Sequence, residues 1–475
     1  MSSAPDAPHL KRSLGVRDVA LFMVTAGCSP QWAATAASAG PSSLVVWILG
    51  GLGMFLPLSV CVVFLSSRHP DEGGLYIWAK RAFGPMAGFM TGWTYWTSNL
   101  PYLTGLLYFA AGSALYLLGT PDAAASASPQ YFILFSLGTL AFAVWLNFLG
   151  LDVAKWLNNA GAHARWMQCV LLMALGGVIW WQFGPAVPLT TESMLPGFRL
   201  QDWIFWGTIA FAWTGPEAAS FMGGEIRDPQ RTVPRALFAA APIIAAVYLL
   251  STASVIVAVA PENLNALYGV MEAIRLSAER LGLAWLVPLG ALLVVLDRVA
   301  GVGLWLGASA RIPFAAGIDH YLPRSFARVH PVHGSPTVAL WVQAAVIVVF
   351  VLVGQAGTSV RGAYNVLVSL MVAATMLPFI MLFASAIKLS GGPSLPGEAR
   401  IPGGRFTVVA MALLGLATTI AAMVLALVPA PGEQHPMLAL LKVAGTTLVL
   451  LGIGVVVYLV GRRAANRAAD PALPE

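Results

Sequence analysis

The chain has 475 residues, 58% of them apolar and only 10% charged, with a mean hydropathy of +0.78. Soluble proteins carry roughly 25% charged residues, so these figures exclude a soluble enzyme, a disordered chain and a fibre, and make the bilayer the natural solvent. A net charge of +6 would suit a nucleic-acid partner in a soluble protein, whereas in so apolar a chain it reads as basic residues gathered in cytoplasmic loops.

Residues 1–16 are polar and basic and read as a cytoplasmic tail. Twelve apolar segments follow, each near or above the roughly 20 residues that a spanning helix needs. They are 17–39, 44–66, 86–118, 130–149, 158–183, 202–222, 235–260, 282–308, 335–354, 363–388, 406–429 and 437–460. The third and eighth are long enough to predict tilt or an interfacial turn. The first ten form a core over 17–388, two more helices occupy 389–461, and 462–475 is a second cytoplasmic tail. With the N-terminus inside, only Arg199, Arg275, Arg280, Arg361 and Lys442 fall outside and Arg298 falls within a span. The rest of the 26 Lys and Arg are then cytoplasmic, which fixes an N-in, C-in orientation in a cell membrane, such as a bacterial inner membrane. Cys28, Cys61 and Cys169 lie in apolar stretches and are odd in number, which argues against a disulfide framework. His320, His330 and His333 lack the spacing and companions of a metal site, and no Walker motif is present.

Two spans are interrupted at their middles. The first reads VTAGCSPQW (24–32) and the sixth FAWTGPEAAS (211–220). Gly and Pro together disfavour helix there. A simple kink is one reading, since membrane helices tolerate it. Position favours another: the first and sixth spans are equivalent if spans 1–5 and 6–10 are inverted repeats, and paired broken helices mark a transporter's binding site. Unwinding frees backbone N–H and C=O groups to meet a carboxylate and an ammonium. Once the charged residues assigned to loops, termini and span edges are set aside, Glu217, Asp297 and Arg298 remain inside the spans, where a charge costs about 3 kcal/mol on insertion scales.

These residues resemble the amino acid–polyamine–organocation (APC) permeases. PDEGGLYIWAKRAFGPMAGFMTGW (70–93) is similar to the family's loop from its second into its third helix. FAWTGPEAASFMGGEIRDPQRTVPRA (211–236), the most specific stretch, is similar to its sixth helix and following loop. DHYLPRSFARVHPVHGSPTVA (319–339) is similar to its loop between helices eight and nine. The first of these looks closest to the glutamate:GABA antiporter-like and polyamine-uptake branches. The resemblance implies an all-α integral membrane protein of twelve transmembrane helices, with two inverted five-helix repeats plus two extra helices. It also implies alternating access around a central substrate site.

By the same resemblance, Gly27 and the backbone at Cys28 and Ser29 match the carboxylate-binding position, although Ser29-Pro30 stands where a second Gly is common and proline removes a donor. Phe211 matches an aromatic gate. Ala212, Trp213, Thr214 and Gly215 lie at the second break, where carbonyls would take an ammonium. Trp96, Ser98 and Asn99 fall where relatives line the site, with helix–helix hydrogen bonding as the alternative. Trp305 is placed before Pro323 as a gating aromatic. Glu217 matches a glutamate linked to gating and proton coupling; desolvation disfavours carboxylate charge, which suits a proton carrier, while a structural hydrogen bond is the alternative. Asp297 and Arg298 point about 100° apart on a helix, so they need not pair with each other; each is expected to face the interior, one of them meeting substrate, Glu217 or another polar group, with a structural ion pair to a neighbouring helix as the alternative. Arg165 falls near the place where a fixed cation replaces sodium, and reads alternatively as an ordinary inside-loop charge; Ser309 sits near the cytoplasmic end of the eighth span.

The expectation is a secondary transporter for an amino acid or related amine, by proton symport or antiport, and not an enzyme. It would need no cofactor beyond a proton or counter-substrate gradient, sodium being the weaker expectation. Its partners would be the small molecule and the lipid bilayer, with no nucleic acid, and the oligomeric state is left open. A polyamine transporter, which Ser29-Pro30 and the acidic Glu217 and Asp297 would suit, and a non-transporting sensor on the same scaffold are the competing classes.

Overall fold

The computed structural model describes residues 14–69, 73–118, 128–149, 151–197, 199–222, 226–264, 266–315, 321–328, 335–393, 398–429, 433 and 435–469. Among them the protein is helical throughout, apart from an isolated bridge between Leu14 and Ile226. Its helices are α1 (Val16–Gly27), α2 (Gln31–Ala37), α3 (Ser42–Arg68), α4 (Leu75–Phe83) and α5 (Pro85–Ala114). Then come α6 (Pro129–Leu149), α7 (Leu151–Phe183), α8 (Leu200–Ala212), α9 (Pro229–Ala258) and α10 (Gly269–Arg280). The last are α11 (Leu286–Ala315), α12 (Thr337–Gln355), α13 (Val360–Leu389), α14 (Gly404–Ala426) and α15 (Pro436–Ala464).

Ten helices among the described residues are long and apolar enough to cross a membrane. The first and sixth expected spans are not among them, because each is cut in two. The third ends in a 3-10 turn over Leu115–Leu118. The eighth instead runs on as one helix to Ala315. Two amphipathic helices, α4 and α10, were not anticipated; their charged residues keep them out of any search for long apolar runs.

Layering follows from burial. In α5 78% of the most apolar stretch is buried, against 17% in α15, so α5 lies at the centre and α15 at the rim. Two glycine positions next to α4 have a physical reason. Gly84 has φ +93 and lets α4 turn directly into Pro85 at the first turn of α5. Gly74, with φ +47, lies so close to Ser220 that a Cβ would collide with its hydroxyl. The Gly-Gly motif at 73–74 is thereby packed against the 3-10 helix Pro216–Met222 that follows the second break. Close by, the backbone N–H of Arg227 donates to the Leu14 carbonyl at 2.9 Å, tying the start of α1 to the chain that follows the second break.

Candidate functional site

The first break is built by Cys28 in an extended conformation followed by Pro30, after which α2 begins at Gln31. The second follows Ala212: Thr214 and Gly215 are non-helical, and a 3-10 helix occupies Pro216–Met222. The two breaks abut. A Cβ on Gly215 would lie 3.0 Å from the Ala26 carbonyl oxygen and 3.1 Å from the Gly27 Cα.

A cavity opens where they meet, enclosing about 570 Å³ including the solvent at its mouth. Of the residues singled out from sequence, Gly27, Ser29, Ser98, Asn99, Phe211, Ala212, Thr214, Gly215, Glu217 and Trp305 line it. Phe211 meets Trp32 edge-on at 5.3 Å, and Trp305 meets Tyr102 edge-on at 5.9 Å, so two aromatic pairs flank the space. Ser98 and Asn99 donate to the carbonyl of Tyr95 on their own helix while facing the cavity, so wall and helix bonding coexist. Glu217 is 3% exposed; its carboxylate accepts from the Gly215 N–H at 2.7 Å and is hydrogen-bonded to the Tyr95 hydroxyl.

Several expected residues lie elsewhere. Trp213 faces away from the cavity: its indole sits against Gly50 and Gly51 of α3, and its Nε1 donates to the Trp47 carbonyl at 3.0 Å. The reason is helical geometry, since two residues on from Phe211 is about 200° around the axis. Cys28 also lies off the wall, contributing its carbonyl to a charge cluster behind it. Trp96 packs on Trp93 and Phe326 instead of lining the site. Ser309 hydrogen-bonds Gln343 of α12.

The charge cluster decides between the alternative readings of Arg165, Asp297 and Arg298. Arg165 is no loop charge: its Nε donates to Asp297 Oδ1 at 2.9 Å and its Nη1 to the carbonyls of Thr25 at 2.6 Å and Cys28 at 3.4 Å. Asp297 and Arg298 do pair with each other, because the long guanidinium folds back so that Nη2 donates to Asp297 Oδ2. Arg298 Nη1 also donates to Ser29 Oγ at 2.9 Å and to Gln31 Oε1 at 3.3 Å. One carboxylate thus serves two guanidiniums directly behind the first break.

The cavity also holds residues missed from sequence: Tyr95, Tyr102, Tyr248, Trp32 and Thr375. Two had a signal. Tyr95, Ser98, Asn99 and Tyr102 are spaced i, i+3, i+4, i+7, one face of a helix. Tyr248 had none, standing alone in an apolar run. Its hydroxyl lies 2.5 Å from the Gly27 carbonyl and 3.0 Å from that of Ala212, the last carbonyl of each helix before its break. With one proton and two acceptors, it ties both breaks together. Tyr248→Phe is expected to leave buried carbonyls unsatisfied, at about 1–3 kcal/mol, and so to lower the apparent melting temperature of the detergent-purified protein. An unchanged melting temperature would show that the carbonyls have another partner.

No group of three or more His, Cys, Asp or Glu that could hold a metal occurs among the described residues; His320, His330 and His333 lie outside them. Comparison with known proteins gives the family. The profile described as "Amino acid permease" matches residues 14–457. An uncharacterized transporter of Legionella pneumophila is 28% identical over 89% of this chain and 90% of its own. The Asc-type amino acid transporter 1 of Mus musculus is 25% identical over 67% of this chain and 59% of its own. A protein of Lactococcus lactis named as a probable agmatine/putrescine antiporter is 24% identical over 62% of each chain. The chain therefore belongs to the amino acid permease family of the APC superfamily and is a multi-pass membrane transporter, not an enzyme.

Proposed function

We propose that the protein is a secondary active transporter of an amino acid or related amine, working by alternating access and coupled to protons by symport or antiport. The observation that carries this is the meeting of two helix breaks at one polar-edged cavity with a buried carboxylate on its wall. On this reading α1 with α2 is the first span, α8 with the following 3-10 helix is the sixth, and the ten long helices complete twelve. Spans 1–5 and 6–10 form two inverted repeats, residues 389–461 supply the two further spans, and both termini are cytoplasmic. The substrate rests against the backbone of both breaks, Phe211 and Trp305 gate it, and Glu217 is the protonatable element. The Arg165 guanidinium engages helix 1 carbonyls that sodium-coupled relatives are expected to use for the ion. Arginine stays charged in proteins, so it supports independence from sodium and leaves the proton to Glu217. A diamine substrate is the second reading, favoured by the likeness to the Lactococcus lactis protein.

The test is uptake and counterflow in proteoliposomes, with a panel of amino acids and amines and with pH and sodium gradients imposed separately. Labelled substrate should accumulate under a pH gradient and be indifferent to sodium. Glu217→Gln is isosteric and keeps a polar group beside the Gly215 N–H. It is expected to flatten the pH dependence of transport while moving apparent substrate affinity less than about threefold, within roughly 0.7 kcal/mol. An unaltered pH profile in the variant would remove Glu217 from that role.

A further inference from the structure

The cluster behind the first break bears on which substrate the cavity takes. Asp297 accepts from Arg165 with one oxygen and from Arg298 with the other. No second carboxylate touches either guanidinium among the described residues, so the cluster holds one positive charge in excess. Asp297, being doubly engaged, offers nothing to a substrate ammonium, and Glu217 is the acidic residue lining the cavity. Arg298 itself does not line it. It is 2% exposed and reaches the cavity wall through Ser29, whose Oγ accepts from its Nη1. A hydroxyl has one hydrogen and two lone pairs. With an oxygen lone pair held by a guanidinium, and with no acceptor for the hydroxyl hydrogen among the described residues, Ser29 is left as a donor toward the cavity. The next residue, Pro30, has no N–H. The Ser29 hydroxyl therefore supplies a donor where the backbone cannot.

We propose that Arg298 is a specificity-determining positioning residue: it holds the Ser29 hydroxyl as a donor to a substrate carboxylate, and the excess charge behind it selects carboxylate-bearing substrates over polyamines. The proposal rests on the reading of the cavity as the substrate site. An ammonium placed at Ser29 would meet a committed donor and an uncompensated positive charge in a medium of low dielectric, both unfavourable.

The test uses the full chain in detergent, with binding read from tryptophan fluorescence, since Trp32 and Trp305 line the cavity. The probes are the standard L-amino acids and, for the tightest binder, the amine that remains when its carboxylate is removed. The wild type is expected to bind the amino acid at least about tenfold more tightly than its amine. Ser29→Ala should weaken the amino acid about tenfold, the weight of one charge-assisted hydrogen bond, and leave the amine unchanged. Arg298→Met should weaken the amino acid at least as much and, with the excess charge gone, strengthen the amine, Arg298→Lys should weaken the amino acid less, and adding Ser29→Ala to Arg298→Met should cost nothing more, as a hydroxyl held by that guanidinium requires. If Arg298→Met does not purify, Ser29→Ala and Arg298→Lys decide. An amino acid-to-amine ratio unmoved by Ser29→Ala, additive losses, or a wild type that prefers the amine would overturn the assignment. Counterflow of the same amino acid is measured separately. Binding with the expected ratios but without counterflow overturns transport and keeps the assignment. Counterflow with an unmoved ratio overturns the assignment alone, and binding of none of the probes overturns both.

Discussion

Asp297→Asn is expected to leave no monodisperse protein in size-exclusion chromatography of a detergent extract. Asp297 is 1% exposed, and its two oxygens face Arg165 and Arg298. Removing one partner from a buried ion pair costs about 3–5 kcal/mol, because the surviving charge is left without compensation. Here two guanidiniums lose the same partner at once, and the amide that replaces it turns a donor toward one of them. A stability margin of roughly 5–15 kcal/mol does not absorb this easily. Charge makes the expectation specific. Asp297→Asn combined with Arg165→Gln returns the cluster to the net charge of the wild type, and part of the monodisperse peak is expected to return with it. A single variant as stable as the wild type would mean that the guanidiniums have other counter-charges.

The scarcity of charge made this cluster half visible in the sequence. A lone carboxylate in an apolar run draws attention wherever it falls, so Glu217 and Asp297 were legible. The Gly-Cys-Ser-Pro and Thr-Gly-Pro-Glu runs were legible for the same reason, because a break in a helix is a local event written in local residues. Arg165 was ambiguous because the fifth span was expected to begin at 158. The helix begins at Leu151, and at about 1.5 Å per residue this puts Arg165 roughly 20 Å along it, well away from the loop. Direction around an axis was equally hidden: a run of apolar neighbours gives no polar face by which to orient a helix, so Phe211 and Trp213 looked alike although one lines the cavity and the other is anchored on α3. Tyr248 lay beyond reach altogether. Its role depends on two carbonyls more than thirty and two hundred residues away in the chain, and no local pattern encodes that.

Gly215→Ala is expected to abolish transport while sparing much of the fold. Gly215 has φ +127, a conformation that a residue with a Cβ adopts only under strain of about 1–3 kcal/mol. The added methyl would also press on backbone, not on a side chain that can swing aside, at 3.0 Å from the Ala26 carbonyl oxygen and 3.1 Å from the Gly27 Cα. The strain is relieved by moving the two breaks apart. That motion draws the Gly27 and Ala212 carbonyls off the Tyr248 hydroxyl they share. One methyl group therefore disturbs the backbone contact and the tyrosine tie together. Counterflow in proteoliposomes is expected to fall at least about tenfold, the equivalent of 1.4 kcal/mol, with the protein still extractable and folded. Gly138→Ala is the matched control: Gly138 lies within α6, where a Cβ would meet nothing within 4 Å, and alanine is the better helix former. Wild-type counterflow in Gly215→Ala would show that the close approach of the two breaks is dispensable, and the cavity between them would lose its claim to be the site of transport.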